Sequence, residues 1–341
     1  MWQHLTKNEI NEFILSLNLI SDNKLSNKEK LKLLYTISNH AEKHYKVFKI
    51  PKRNGTYRTI YDPDYTLKNI QRNILNNILN ERITSPYAKA YKKGLNLSDN
   101  AKPHLQKKII LKLDIKDFFP SIDFLKVYKK VFPRNIYPEA VASLLTNLVT
   151  YNNFLPQGAP TSSYISNLVL RSFDFKIGGY CENKNISYTR YCDDMTFSGD
   201  FDPKEVIDFV RKALIAEGFI LNKQKIKIIK PNKSQIVTGI VCNTKLSVPR
   251  LYKNNIRQKM YYINKYGLDN HLKHTECLDD KNTYLHKLYG QILFVLQIEP
   301  TNQEFLNYKE KLLKLKENYP YRITKYSING QFFLTRLAIN I

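Results

Sequence analysis

Hydrophobic and polar positions along the chain alternate between a helical and a strand rhythm. Ser26-Asn27-Lys28-Glu29 reads as a capping box opening a helix whose apolar residues Leu31, Leu34 and Ile37 recur at helical spacing. Two strand-like runs follow, HYKVFKIPK and TYRTIY, joined through Asn54-Gly55, a pair suited to the positive φ angles of a two-residue hairpin turn. The tip is basic, with Lys52, Arg53 and Arg58. After Asp62-Pro63 an amphipathic helix carries Leu67, Ile70, Ile74, Ile78 and Leu79. The polar stretch around 92–108 reads as a connector.

The centre has the sharpest pattern. KIILKLDIKDFF alternates as a strand, with Leu111, Leu113 and Ile115 on one face and Lys112, Asp114 and Lys116 on the other. A helical segment and the loop LPQGAPTSS come next. One helix then runs through Ile165, Leu168 and Phe173 to Gly178-Gly179. Two short strands flank Cys192-Asp193. A further helix starts at Asp202 with Pro203 in its first turn, Glu205 completing a capping box, and Val206, Phe209, Val210 and Leu214 inward; Gly218 closes it. KIKII is the last strand. The order β-α-β-β-α-β predicts an α+β, ferredoxin-like sheet, with Asp114 at a strand end beside the turn that carries Asp193. From about residue 245 the chain is rich in Lys and Tyr, with helical periodicity near 284–296 and 303–315. This predicts a separate, mostly helical basic subdomain.

Composition narrows the partners. The 341 residues, 43% hydrophobic, suffice for a sizeable core in two or three subdomains. Lys and Arg number 54 against 30 Asp and Glu, a net charge of +24 that points to nucleic acid; an anionic membrane surface is the second reading. No apolar run approaches a membrane span, and MWQHLTKNEINEF lacks a signal-peptide pattern, so a bacterial cytoplasmic protein without membrane contact is expected. Cys181, Cys192, Cys242 and Cys277 show no metal-ligand spacing and fit reduced thiols.

Candidate chemistry centres on Tyr191-Cys192-Asp193-Asp194. Aspartate is a poor strand former and adjacent carboxylates repel, so a pair at a tight turn suits a cation. With Asp114 it would form a two-metal site, since hard cations take carboxylate oxygens. The plainer reading makes these aspartates turn residues or surface ion-pair partners.

LDIKDFFPSI, LPQGAPTSS and RYCDD, in that order, resemble three catalytic motifs of reverse transcriptases; IPKRNGTYRTI resembles the family's fingers and GFILNKQK its fourth motif. The resemblance covers roughly residues 30–240. Asn100-Ala101-Lys102-Pro103-His104 matches the NAxxH motif of retron enzymes, and Val237-Thr238-Gly239 their VTG motif. The resemblance implies a right-hand polymerase: N-terminal helices and fingers over 1–105, a palm over 106–243 to whose neighbouring fingers part of 125–160 contributes, and a short helical thumb or RNA-binding region over 244–341.

It also implies roles. Asp114, Asp193 and Asp194, with the Ile115 backbone carbonyl, would bind two Mg²⁺ ions, Mn²⁺ being a substitute. Lys52 and Arg58 would hold the triphosphate of a dNTP. Asp117, Phe118, Phe119, Gln157 and Gly158 would line the nucleotide pocket, with Phe119 stacked under the sugar to exclude a 2′-hydroxyl. One of Phe118 and Phe119 belongs to the core. Lys225 is either a general acid toward pyrophosphate or one more solvated lysine. His104 reads as structural or RNA-contacting. Lys253, Arg257, Lys259, Tyr261, Tyr262 and Lys265 offer phosphate contacts and stacking platforms, or else a solvated helix face. Retron enzymes copy part of a cognate non-coding RNA from a 2′-hydroxyl into branched RNA–DNA for anti-phage defence, alongside an effector protein. Another bacterial defence or group II intron-like reverse transcriptase is the alternative within the class; an inactive RNA-binding scaffold is the alternative outside it.

Overall fold

Side-chain caps set the first two helices. Thr6 and Ser26 each accept from the backbone three residues on, while Glu9 and Glu29 reach back to the cap, opening α1 (Lys7–Ser16) and α2 (Asn27–Asn39). The computed structural model describes residues 5–52 and 55–317; Arg53, Asn54 and the chain beyond 317 lie outside the described residues. The described residues fall into two compact units, within Met1–Pro103 plus Lys108–Lys230 and within His104–Lys107 plus Pro231–Ile341.

In the first unit, β1 (Tyr45–Pro51) and β2 (Tyr57–Pro63) form an antiparallel hairpin. Its register ends with Pro51 opposite Tyr57, and the Lys52 N–H donates to the Thr56 carbonyl at 2.7 Å; Asn54 of the expected Asn54-Gly55 turn lies outside the described residues. The Gly55 N–H donates to the Lys52 carbonyl at 3.1 Å, and Gly55 holds φ +78. α3 (Tyr65–Ile74), capped by Asp64, passes into a π turn at Leu75–Leu79, and all five expected apolar positions are buried. The 92–108 stretch is more than a connector. It contains α4 (Leu97–Ala101) and a 3₁₀ turn at Lys102–His104, with Asn100, Ala101 and His104 at most 1% exposed.

The central sheet has the order β4-β5-β3-β6, built from β3 (Ile109–Asp114), β4 (Ser187–Tyr191), β5 (Asp194–Gly199) and β6 (Lys227–Ile229). All three pairings are antiparallel, the ferredoxin-like arrangement expected. α5 (Phe124–Lys130), α6 (Glu139–Val149), α7 (Ser162–Val169) and α8 (Arg171–Asn183) lie in sequence between β3 and β4, and α9 (Pro203–Ala216) between β5 and β6. Leu111, Leu113 and Ile115 join Phe173, Ile177, Val206, Val210 and Leu214 in one core.

Four local expectations change. β3 stops at Asp114, because the chain turns over Lys116–Pro120 with the Ser121 N–H bonded to the Asp117 carbonyl. The single helix over 162–179 is two, broken at Leu170 (φ −88, ψ 5). Gly178 and Gly179 lie inside α8, where a Cβ on Gly178 would sit 2.1 Å from the Tyr87 ring. Glu205 makes no capping box; Asp202 caps α9 alone and Glu205 pairs with Lys184 at 2.6 Å.

The second unit holds a two-residue hairpin, β7 (Ile236–Val237) and β8 (Ile240–Val241). Thr238 (φ +45) and Gly239 (φ +83) form its turn, the pair of positive φ angles of a type I′ hairpin. α10 (Arg250–His274) is broken at Gly267, whose φ 80 and ψ 161 only glycine adopts readily. α11 (Lys281–Ile298) and α12 (Gln303–Glu317) match the expected periodicity. Among the described residues no helix is long and apolar enough to cross a membrane.

Gly178→Ala is expected to destabilise the protein by about 1–3 kcal/mol, because the Tyr87 ring must move from its packed place. Urea unfolding of the two proteins measures this.

Candidate active site

The register of β3 on β5 makes Asp114 the cross-strand partner of Asp194. Directly opposed side chains on an antiparallel pair are near neighbours, and like charges there are destabilising. Tyr191 pairs with Asp194 across β4 and β5, leaving Cys192-Asp193 as a two-residue turn with Cys192 at φ +61. The Asp193 carbonyl accepts from the Ile115 N–H at 3.3 Å, which brings the turn to the end of β3. Three carboxylates from two segments thus share one end of the sheet.

Their electrostatics follow from that crowding. Burial and then the Asp114 charge raise the Asp193 carboxyl above its ordinary value. The surrounding protein and then the Asp193 charge push Asp194 up to about 6, although Asp194 still reaches solvent. Asp114, 3% exposed, is held by Lys225 Nζ at 2.7 Å and by Asn222 Nδ2 at 3.0 Å. Asn222 also donates its backbone N–H to the Asp114 carbonyl at 2.8 Å. Lys225 stands in a 3₁₀ turn just before β6, its side chain 59% exposed. Burial opposes its charge, but the Asp114 hydrogen bond and the neighbouring carboxylates hold its pKa above the usual lysine value. Among the described residues no three acidic, His or Cys side chains converge into a ready cation cage. Lys225 and Asn222 occupy the Asp114 oxygens, while the raised Asp193 and Asp194 carboxyls mark negative charge short of a counterion. Hard oxygen donors of this kind fit Mg²⁺ or Mn²⁺.

The remaining residues sort by exposure. Lys52 and Arg58 are exposed on the hairpin. Asp117 faces solvent at φ +46. Phe118 is 3% exposed and packs near Phe219, so its ring belongs to the core rather than a pocket wall; Phe119 is half-buried beside it. The Gln157 carbonyl accepts from the Tyr61 N–H at 2.9 Å, tying the loop to β2. Gly158 (φ +122) fits there because a Cβ would meet the Tyr61 carbonyl oxygen at 2.8 Å. The close approach it permits is to β2. Tyr191 is half-buried, next to the turn. Cys192 is 8% exposed and burial pushes its thiol up to about 12.

In the second unit Lys253 pairs with Glu299 at 2.8 Å, and Arg257 grips Glu304 through two nitrogens at 2.7 and 2.6 Å. Lys259 reaches Gln291 at 3.2 Å, and burial lowers its pKa. These three hold α10 to α11 and to the segment that opens and forms α12, and are not free for phosphate. Lys265 and Tyr261 remain outward, the lysine 3.1 Å from the phenol. Tyr262 lines a cavity of about 360 Å³ with Tyr266, Asn270, His271 and His274.

Residues absent from the sequence expectations are Asn222, Asn167, Asp174 and Arg190. Asn222 stands three before Lys225 in GFILNKQK. Arg190 shares the inward face of β4 with Tyr188, and Asp174 follows buried Phe173; a charge set among inward apolar positions signals a buried partner.

The chain belongs to the reverse transcriptase family: residues 50–257 match the family described as "Reverse transcriptase (RNA-dependent DNA polymerase)". It is an RNA-directed DNA polymerase of the retron type. It is 31% identical over 288 residues to the retron Ec86 reverse transcriptase of Escherichia coli, covering 83% of this chain and 84% of that one. The retron Ec83 enzyme of Escherichia coli is 33% identical over 84% of this chain and 92% of its own. The retron Mx65 enzyme of Myxococcus xanthus is 31% identical, covering 81% and 67%. A telomerase from Candida albicans, solved with a fragment of telomeric RNA, is similar with a TM-score of 0.45 and 12% identity, over 85% of this chain and 68% of that one.

Gly158→Ala is expected to cost about 1–3 kcal/mol locally, through a positive φ and the clash with β2. Thermal unfolding should show this as a melting temperature several degrees below that of the wild type.

Proposed function

We propose that this protein copies part of a cognate structured non-coding RNA into DNA from a 2′-hydroxyl of that RNA, giving a branched RNA–DNA molecule that serves anti-phage defence with an effector protein in the bacterial cytoplasm. The carrying observation is the pairing of Asp114 with Asp194 beside the Asp193 turn. Asp114 and Asp193, with Asp194 and the Ile115 carbonyl alongside, would hold two Mg²⁺ ions, which when bound lower the pKa of the attacking hydroxyl and steady the leaving pyrophosphate. Lys52 and Arg58 would bind the dNTP triphosphate, and Gln157, Gly158 and Asp117 its nucleotide. Phe119 would exclude a ribose 2′-hydroxyl. Lys225 would protonate pyrophosphate, its ammonium group standing 2.7 Å from Asp114 at the carboxylate cluster. For the RNA, Lys265, Tyr261 and the Tyr262 cavity would stack and contact single-stranded segments, in keeping with a net charge of +24. The NAxxH and VTG residues are buried or turn-forming, which supports a structural part for them.

Asp193→Asn is expected to lower Mg²⁺-dependent dNTP incorporation on RNA by at least about a hundredfold, the scale of a lost transition-state contact. RNA affinity, read by filter binding, should stay within about threefold, since it rests on phosphate and 2′-hydroxyl contacts. Nucleic acid purified with the wild-type protein should contain DNA joined to RNA at a 2′-oxygen. Unbranched or protein-linked DNA would instead favour another reverse transcriptase class, and RNA binding with no wild-type incorporation would favour a scaffold.

Phe119→Val should raise the ratio of ribonucleotide to deoxyribonucleotide incorporation. An unchanged ratio in single-nucleotide extension would remove Phe119 as the sugar gate.

A further inference from the structure

We propose that Arg190 is a positioning residue for the catalytic turn, fixing the peptide between Cys192 and Asp193. The side chains of Arg190 and Asp174 are both 0% exposed. Two guanidinium nitrogens bind Asp174: Nε to Oδ1 at 2.8 Å and Nη2 to Oδ2 at 2.7 Å. The Tyr188 hydroxyl donates to the same carboxylate at 2.9 Å. The third nitrogen, Nη1, donates to the Cys192 carbonyl at 2.8 Å and to Asn167 Oδ1 at 3.2 Å. Asn167 in turn donates to the Ala90 carbonyl at 2.9 Å. The Arg190 backbone is locked as well, its N–H on the Tyr87 carbonyl and its carbonyl accepting from Lys89, both at 2.8 Å.

Stability alone does not account for this arrangement. Withdrawing two charges from water offsets most of their attraction, and a packed apolar replacement of such a pair is often as stable. Geometry does account for it. The Cys192 carbonyl and the Asp193 N–H belong to one rigid peptide plane. A planar guanidinium clamped to α8 by two parallel bonds sets that plane, and with it the direction in which the Asp193 side chain leaves the turn. Cys192 is left-handed at φ +61, a conformation that persists only where its surroundings impose it. Asn167 stands on α7, the helix that follows the 155–161 loop, so one guanidinium fixes both that helix and the turn.

The proposal rests on Asp193 acting in the reaction, as argued under the proposed function. The test uses the full chain with an apolar triple variant, Asp174→Leu/Tyr188→Phe/Arg190→Met, which removes the ion pair together with the Tyr188 hydroxyl and takes the donor away from the Cys192 carbonyl and Asn167 Oδ1. A second variant, Arg190→Lys, keeps the charge but not the fork. Melting temperature, RNA affinity, kcat, dNTP KM and the Mg²⁺ concentration for half-maximal rate are measured. The triple variant should melt within a few degrees of wild type and bind RNA within about twofold. Its kcat should fall at least about tenfold, its dNTP KM should move less than about threefold, and its Mg²⁺ requirement should rise. Arg190→Lys should share the kcat loss. A folded triple variant with kcat and Mg²⁺ requirement within twofold of wild type overturns the proposal. So does failure of both variants to fold, because Arg190 would then be needed for the fold itself. Asp193→Asn, assayed alongside, separates the two readings. If it stays active, the site assignment fails; if it is inactive while the triple variant is active, only the role of Arg190 fails.

Discussion

Asp114 and Asp194 face each other across β3 and β5, and much of the first unit answers that one unfavourable pairing. Two opposed carboxylates with a third on the adjacent turn repel. The sheet bears this because its register is set elsewhere. Leu111 opposite Phe197 and Leu113 opposite Met195 bury their side chains, and a slip of one residue would turn that apolar set outward. Apolar burial therefore holds charges together that would otherwise separate. The partial neutralisation by Lys225 and Asn222 falls on Asp114, the most buried of the three. What stays under-neutralised is the turn, where an arriving cation gains most.

The second unit shows the opposite use of charge. A net charge of +24 suggests cations held ready for phosphate, yet Lys253 and Arg257 are paired with Glu299 and Glu304 inside the helical unit. Composition counts charges without regard to their partners. The broken helix at Gly267 has an aromatic, His-lined cavity beside it.

The order of strands and helices was legible in the sequence because period-two and period-3.6 patterns survive in the core strands and in the long helices. The three aspartates were legible too, since strand end and turn are local properties. What escaped was set by contacts distant in sequence. The break at Leu170 has no proline or glycine to announce it. Gly178 reads as a helix end until Tyr87, far back in the chain, is seen to fill its missing side chain. Phe118 and Phe119 read as alternating strand residues, but the turn after Asp114 sends Phe118 into the core. Glu205 had the spacing of a capping box and found Lys184 instead.

The same distant contacts join the pieces of the site into one bonded series. Arg58 lies on β2; β2 donates from Tyr61 to Gln157; the loop leads into α7; Asn167 of α7 meets Arg190; and Arg190 holds the Cys192 carbonyl. Each step is a hydrogen bond or a short covalent stretch, so the hairpin that carries the basic residues and the turn that carries Asp193 are not independently placed. A polymerase must align a triphosphate with a carboxylate-bound cation to within a fraction of an ångström for in-line transfer. Two flexible elements could not hold that alignment separately. Gly158 and Arg190 sit at its two narrow points, one by having no side chain and the other by having a rigid, fully bonded one.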